Sequence, residues 1–223
     1  MNKNEIQQTI DRYNKRLQEY GETEKALGWG DKGRSRLRYH ALCNEFDLKN
    51  TTVLDFGCGF GDLYAYIRDN ISPDFKYIGI DINPNLIEVA QKRYGSQAEF
   101  HVVPYEVSEY LEQHQIKADY ILSSGIFNFK LDDNIGFIES TLHVFDRFST
   151  RGFASNFLSD KVSFQAESNF HSNPGQILEM HYKYSNNVTL RNNYMPFEFS
   201  VMVNKHDAVN KDMNVYESHL QYI

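Results

Sequence analysis

Short apolar runs alternate with helical patterns through the middle of the chain, and this alternation is its dominant hydrophobic pattern. Between the runs, apolar residues recur at helical spacing, as in Ile135, Ile138, Leu142 and Phe145. Strands that alternate with helices are typical of a parallel sheet built from strand-helix-strand units. The five predicted strands cover residues 52–56, 77–81, 98–103, 119–123 and 152–157.

The two ends of the chain depart from this alternation. Helical patterns over residues 4–20 and 33–46 come before the first strand. Beyond residue 157, the runs 187–190 and 197–203 predict two strands whose connection is too short for a helix, so we expect them to pair antiparallel. Residues from about 205 onward are polar and predict a tail, a short helix or a segment that a partner orders.

The composition is typical of a folded globular protein. A chain of 223 residues with 41% hydrophobic residues can bury a core in one domain without disulfides or metals. Cys43 and Cys58 form no CxxC pair, so the sequence predicts neither a disulfide framework nor a zinc site. Without an apolar leader or a long apolar stretch, we expect a cytoplasmic protein with no membrane partner.

The charge distribution argues against a protein that grips phosphate backbones. The formal net charge is −7, whereas nonspecific nucleic-acid affinity comes largely from clustered lysines and arginines. One short basic cluster contains Lys32, Arg34, Arg36 and Arg38. We interpret it as a solvated helical face with one functional member, and we do not expect a nucleic-acid partner.

The most informative motif is the glycine loop that follows the first strand, Asp55-Phe56-Gly57-Cys58-Gly59-Phe60-Gly61. Glycine allows a sharp turn and a close approach of the backbone to a ligand. Dinucleotide-binding loops have G-x-G-x-x-G, but Asp62 stands where their third glycine would be. The spacing is instead Asp-x-Gly-x-Gly-x-Gly.

Two carboxylates accompany this loop. Asp55 ends the first strand and can accept a hydrogen bond from a ligand ammonium, while Asp81 ends the second strand and can bind both ribose hydroxyls. Acidic residues at the mouth of a site favour a cationic ligand such as S-adenosylmethionine, which carries an amino-acid part and a sulfonium. Ile82 would cover the adenine. The alternative interpretation is a glycine-rich turn next to an unrelated capping aspartate.

Over roughly residues 35 to 204, the chain resembles the class I S-adenosylmethionine-dependent methyltransferases in its glycine loop, ribose acid, strand order and final hairpin. The resemblance implies a Rossmann-like α/β fold: a doubly wound sheet of five parallel strands plus a C-terminal antiparallel hairpin strand, with N-terminal helices over the cofactor site. We predict a single domain over 1–223, with a helical cap (1–46), a core (47–204) and a polar tail (205–223). The cofactor contacts that follow from the loop and the resemblance are Asp55, Gly57, Cys58, Gly59, Gly61, Asp81, Ile82 and Ser123.

Two further cofactor contacts are hypotheses. The acid that the family often has after strand three is not matched in Val102-Val103-Pro104-Tyr105-Glu106, so Glu106 or a carbonyl near Val103 would contact the adenine. Glu106 fits equally well as an exposed residue of a first helical turn. In the N-terminal segment that begins at Trp29-Gly30-Asp31, Arg38 could pair with the methionine carboxylate through two hydrogen bonds.

The acceptor site is predicted beyond strand four, where doubly wound folds bind ligands. Phe127 and Asn128 would supply an aromatic wall and an amide there, Tyr194 would face the same mouth, and residues 159–175 would form either a lid or a surface loop. The run lacks the Asn/Asp-Pro-Pro-Tyr motif of relatives that methylate nucleic-acid bases. No single base is predicted among the candidates His101, Asp132, Asp133, His171, His181 and Glu198.

These patterns predict a methyltransferase that uses S-adenosylmethionine, no metal and a small-molecule acceptor. A sugar or nucleotide-sugar of polysaccharide biosynthesis is the preferred acceptor, because the stretch from Ser124 to Phe199 is similar to methyltransferases of such pathways. The alternatives are a protein or RNA methyltransferase and a non-catalytic module that binds S-adenosylmethionine. The sequence leaves the oligomeric state open.

Overall fold

A seven-stranded sheet forms the centre of the computed structural model, which describes residues 1–29, 33–103 and 106–223. The strand order is β3-β2-β1-β4-β5-β7-β6, in which β7 runs antiparallel to both of its neighbours and β1 to β5 are parallel. The predicted fold of five parallel strands and a terminal antiparallel hairpin is therefore confirmed. The strands are β1 (Thr52–Phe56), β2 (Lys76–Asp81), β3 (Glu99–Val102), β4 (Ala118–Ser123), β5 (Ser149–Leu158), β6 (Asn187–Arg191) and β7 (Glu198–Asn204).

Helices begin where the sequence supplies caps. The side chain of Asn83 accepts hydrogen bonds from the backbone N–H groups of Asn85 and Leu86, and Pro84 occupies the first turn. Asn173 and Pro174 start another helix in the same way. The helices are α1 (Lys3–Tyr20), α2 (Arg34–Cys43), α3 (Asp62–Asn70), α4 (Pro84–Tyr94), α5 (Val107–Gln113), α6 (Asn134–Phe148) and α7 (Pro174–His181).

Each face of the sheet carries its own hydrophobic core. Helices α5, α6 and α7 pack on one face and α2, α3 and α4 on the other. Successive residues of a strand point into opposite cores: Val53 packs with α2 to α4, and Leu54 packs with α5 to α7. The doubly wound arrangement leaves the carboxyl ends of β1, β2 and β4 together at one edge, where ligands bind in such folds.

The N-terminal helix and the last residues lie outside these two cores. No residue of α1 is fully buried, and its residues Tyr13 and Leu17 contact a small third cluster that includes Phe60 and Leu86. The predicted polar tail forms a short hairpin of β8 (Val209–Asn210) and β9 (Val215–Tyr216), followed by a 3-10 helix at Glu217–Tyr222. Within the described ranges, no helix is long and apolar enough to cross a membrane.

Candidate active site

A cavity of about 600 Å³ opens at the carboxyl ends of β1 and β2. The glycine loop and Asp81 form its floor, and α1 closes one side with Ile6, Thr9 and Tyr13. Polar contacts hold α1 in this position: Asn14 accepts hydrogen bonds from the side chains of Asn83 and Asn85 at 3.0 and 2.9 Å. The predicted cofactor contacts that line the cavity are Asp55, Gly57, Cys58, Gly59, Asp81 and Ile82.

The glycine loop brings its backbone against β2. Gly57 and Cys58 donate to the carbonyl of Ile80 at 2.8 and 3.0 Å. Gly57 has a φ of 82°, and a Cβ atom there would overlap the side chain of Ile126, so only glycine fits. Gly61 does not line the cavity: it precedes the first residue of α3 at φ 76°, and a Cβ atom would lie 2.9 Å from the Phe100 ring. Packing therefore explains why this position is a glycine, and a ligand contact of Gly61 stays a prediction.

Backbone donors orient Asp81 towards the cavity. Oδ2 of Asp81 accepts from the N–H of Gly59 at 3.0 Å, and Oδ1 accepts from the N–H of Asn83 at 2.9 Å. Burial raises the pKa of this carboxyl, although the backbone donors oppose that effect. The two bonds fix the carboxylate beside the loop, as expected for a group that binds a ligand diol.

Asp55 is the more deeply buried of the two carboxyls, with 3% exposure. Its Oδ2 atom accepts a hydrogen bond from the Tyr77 hydroxyl. Burial raises the pKa of Asp55 to about 7; the Tyr77 bond lowers it, and the nearby acids Asp81 and Asp62 raise it further. Sequence reasoning missed Tyr77, because an aromatic residue in a strand pattern gives no signal beyond packing.

Arg38 lies next to this site but is already paired. Its Nε donates to both carboxylate oxygens of Glu198 at 2.9 and 2.8 Å, and its Nη2 donates to Oε2. Both residues are buried, and the Trp29 ring lies 4.5 Å from the guanidinium. The cavity is lined by Trp29 and not by Arg38, and the buried Nη1 has no partner. The pairing with a methionine carboxylate stays a prediction that only Nη1 could fulfil.

The predicted acceptor residues do not line the cavity. Phe127 is buried in the core, where its ring stacks on Phe157 at 5.0 Å, so its role as an acceptor wall stays a prediction that this packing does not support. The Tyr194 hydroxyl bonds to Ser200 at 2.8 Å. Ser123, predicted to contact the cofactor, donates to the carbonyl of Phe56 at 3.0 Å. The hydroxyls of Tyr194 and Ser123 therefore each have a hydrogen-bond partner inside the protein.

Residues 159–175 extend the sheet edge beyond β4 and β5. Ser172 pairs with Ser159, and the N–H of Phe170 donates to the carbonyl of Asn128 at 3.0 Å. The His171 ring bonds through Nδ1 to the carbonyl of Ser159 at 2.9 Å, while its Nε2 is buried without a partner. The Oδ1 atom of Asn128 is also buried without a partner. The segment therefore contacts the residues that follow β4 and β5, and its role as a lid stays a prediction.

Most of the other candidate bases have structural roles. His181 lies in the core between Phe153 and Phe157, and burial lowers its pKa to about 4. Asp133 caps α6, and the Asp132 side chain accepts from Asn2. His101, on β3, forms a hydrogen bond with the hydroxyl of Tyr110. Glu198 forms the buried ion pair with Arg38.

The basic cluster does not form a continuous surface in the part of the chain that the structure describes. Arg34 stacks on Phe197, Arg36 donates to Asn70, and Arg38 is buried. Glu106 and Val103 line the cavity. The remaining residues of these two predictions, Gly30, Asp31 and Lys32 in the N-terminal segment and Pro104 and Tyr105 after strand three, lie outside the described residues.

Comparisons with known proteins agree with this geometry. A family model described as a methyltransferase domain matches residues 54–145. The protein Rv1506c of Mycobacterium tuberculosis, which carries a provisional methyltransferase name, is 29% identical over 165 residues that cover 69% of this chain and 93% of the relative.

Solved methyltransferase structures share the fold. The magnesium protoporphyrin IX methyltransferase of Synechocystis PCC 6803, solved with bound SAH, superposes with a TM-score of 0.61 at 13% identity, covering 90% of this chain and 99% of that one. Human N-acetylserotonin methyltransferase, solved with SAM, gives a TM-score of 0.60 at 17% identity, covering 86% and 56%. The chain therefore has the fold of these methyltransferases, and its residues 54–145 match the methyltransferase-domain model.

Proposed function

We propose that the protein binds S-adenosylmethionine across the glycine loop and transfers its methyl group to a small-molecule acceptor. One observation carries the binding proposal: a buried carboxylate, Asp55, and a half-buried one, Asp81, flank a loop of positive-φ glycines and line the same cavity. Within the described residues, neither carboxylate takes part in an ion pair. A ligand with an ammonium group and a ribose diol would supply the partners that both lack.

The cavity residues divide the cofactor among them. Asp81 would accept from the ribose hydroxyls and Asp55 from the ammonium, while Ile82 and Val103 would cover the adenine with apolar surface. Glu106, which also lines the cavity, would contact the adenine amino group. The bound cofactor supplies a methyl group already activated on a sulfonium. The protein therefore has to align the acceptor and exclude water, and α1 serves the second purpose by covering the cavity.

A hydroxyl-rich acceptor, such as a sugar or nucleotide-sugar, is the acceptor class that we propose. Its support comes from four buried polar atoms without partners, Asn128 Oδ1, Ser172 Oγ, His171 Nε2 and Arg38 Nη1, whose residues lie outside the lining of the cofactor cavity. Leaving such groups unpaired in the complete complex would cost about 1–3 kcal/mol each. Hydroxyl groups can both donate and accept, so a sugar could satisfy this mixed set.

The test uses methyl-labelled S-adenosylmethionine with fractionated metabolites, protein and RNA pools, followed by mass spectrometry of labelled products. A labelled sugar would support the full proposal. Label in protein or RNA would overturn the small-molecule acceptor, and cofactor binding without transfer to any pool would indicate a non-catalytic module. Calorimetry with S-adenosylhomocysteine checks the site itself, since absence of binding would contradict the proposed cofactor pocket.

A further inference from the structure

Tyr77 is a buried hydroxyl with one partner, and that partner faces the cofactor cavity. The Tyr77 ring lies on β2 with 1% exposure, inside an aromatic group formed with Tyr64, Phe75 and Phe100. Its hydroxyl reaches across from β2 to β1 and donates to Oδ2 of Asp55. The rigid ring contacts leave the phenol one direction in which to donate. The carboxyl of Asp55 is thereby fixed at the end of β1.

Among residues 1–29, 33–103 and 106–223, the groups around Asp55 supply no positive charge. Asp81 and Asp62 lie close enough to raise its pKa, as burial does. Burial also raises the pKa values of Tyr39, Cys43 and Cys58, so these neighbours stay uncharged near neutral pH.

No Lys or Arg in the described ranges forms an ion pair with Asp55. Among the described residues, only the Tyr77 hydroxyl donates a hydrogen bond to the carboxylate oxygens of Asp55. A cationic group of the ligand would be its first positive neighbour.

We propose that Tyr77 is a positioning residue for cofactor binding: it holds Asp55 as an oriented carboxylate towards the ligand ammonium, and binding of the ammonium releases a proton from Asp55. The inference rests on the proposed cofactor site. The proton balance is simple, because the ligand ammonium keeps its proton and the Asp55 carboxylic acid loses one to solvent. In the empty protein, the pKa of about 7 leaves a large fraction of this carboxyl protonated at pH 6 to 7.

The coupling sets a direction for the pH dependence. Affinity should rise as pH increases from 6 to about 7.5, because less work is needed to ionise Asp55. It should fall again only at higher pH, where the amino group of the ligand loses its own proton. Removing the Tyr77 hydroxyl deletes the bond that favours ionised Asp55, so the rising limb of the profile should move to higher pH.

The experiment measures S-adenosylhomocysteine binding by calorimetry between pH 5.5 and 8.5, in buffers that differ in ionisation enthalpy, for the native chain and for Tyr77→Phe. We expect release of a substantial fraction of one proton at pH 6.5 in the native chain. For Tyr77→Phe we expect about tenfold weaker binding at that pH, with recovery at higher pH.

Two controls separate positioning from packing. Tyr64→Phe removes a hydroxyl from the same aromatic group, but that hydroxyl bonds to Gln97, so the binding profile should match the native one. 5′-Methylthioadenosine keeps the nucleoside and lacks the ammonium, so its binding should release no proton.

The outcomes distinguish this inference from the proposed function. Binding of S-adenosylhomocysteine without proton release, or identical pH profiles for Tyr77→Phe and the native chain, would overturn the role of Tyr77 and leave the cofactor pocket intact. Failure of both ligands to bind at any pH would instead overturn the pocket. Thermal melting of the two phenylalanine variants checks that each is folded.

Discussion

The carboxyl ends of β1 and β2 differ from those of β4 and β5 in how their polar side chains are held. In the first region, backbone N–H groups orient Asp81, one from Asn83 two residues away and one from Gly59 in the glycine loop, and the loop itself bonds to the backbone of Ile80. In the second, side chains from distant segments hold one another, as Arg38 holds Glu198, 160 residues further along the chain. Backbone groups therefore hold most of the cofactor half of the site, whereas side-chain pairs between distant segments hold the proposed acceptor half.

The largest effect should come from breaking the long-range pair. Arg38→Ala leaves Glu198 buried, with 2% exposure, and without its charge partner. Removing one member of a buried ion pair costs about 3–5 kcal/mol, so we expect a fall in Tm of roughly 10 °C in thermal melting.

Arg36→Ala is the matched control, because that side chain makes an exposed bond to Asn70 and its loss should change Tm little. Unchanged stability of Arg38→Ala together with weaker binding of S-adenosylhomocysteine would contradict the structural role. That result would favour the predicted contact of Arg38 with the methionine carboxylate.

The next largest effect should be on ligand affinity, in the cofactor half of the site that backbone groups hold. Asp81→Asn weakens the proposed charged contacts to the ribose, which are worth about 1.5–3 kcal/mol. We expect roughly 10- to 100-fold lower affinity for S-adenosylhomocysteine in calorimetry. Tm should also fall, because the amide nitrogen of Asn cannot accept one of the two backbone hydrogen bonds that Asp81 accepts.

Asp62→Asn provides the control for this substitution, since Asp62 follows the glycine loop but pairs with Arg93 and does not line the cavity. Equal losses of affinity in the two variants would mean that the overall negative charge, rather than a contact of Asp81, attracts the ligand.

The same contrast explains what could be predicted from the sequence. The first strand, the glycine loop and the cap at Asn83 follow from local patterns, and the structure has all three. The orientation of Phe127 could not be predicted, because it depends on stacking against Phe157, 30 residues away in the sequence. The partner of Tyr77 was hidden for a similar reason: it becomes visible only when β1 and β2 are placed side by side.

Asp55 allows a test of stability against pH. Its pKa is raised from 3.8 to about 7 on folding, so the folded state binds the proton more tightly than the unfolded state. The contribution of this carboxyl to stability therefore falls as pH rises from about 4 to 7 and stays low above that. Asp55→Asn removes the buried charge, and we expect the empty protein to gain about 3 °C or more in Tm at pH 8, and less at pH 5.

On this interpretation, the buried charge of Asp55 destabilises the empty protein, and the residue is present because its carboxylate binds the ligand. The Asn variant should accordingly bind S-adenosylhomocysteine more weakly while melting at a higher temperature. A variant that melts lower at pH 8, or gains equally at both pH values, would contradict the assignment of a buried charge at this position.

The smallest effect should come from Tyr194, whose place in the acceptor half depends on its hydrogen bond. Its hydroxyl bonds to Ser200, so Tyr194→Phe should cost about 1 kcal/mol and lower Tm by roughly 2–4 °C. Because the hydroxyl is already used inside the protein, we expect unchanged KM for the acceptor and unchanged binding of S-adenosylhomocysteine. A higher KM for the acceptor with normal cofactor binding would show that Tyr194 leaves Ser200 for the substrate. In that case the acceptor half would rearrange on binding, while the cofactor half, held by the backbone, would not.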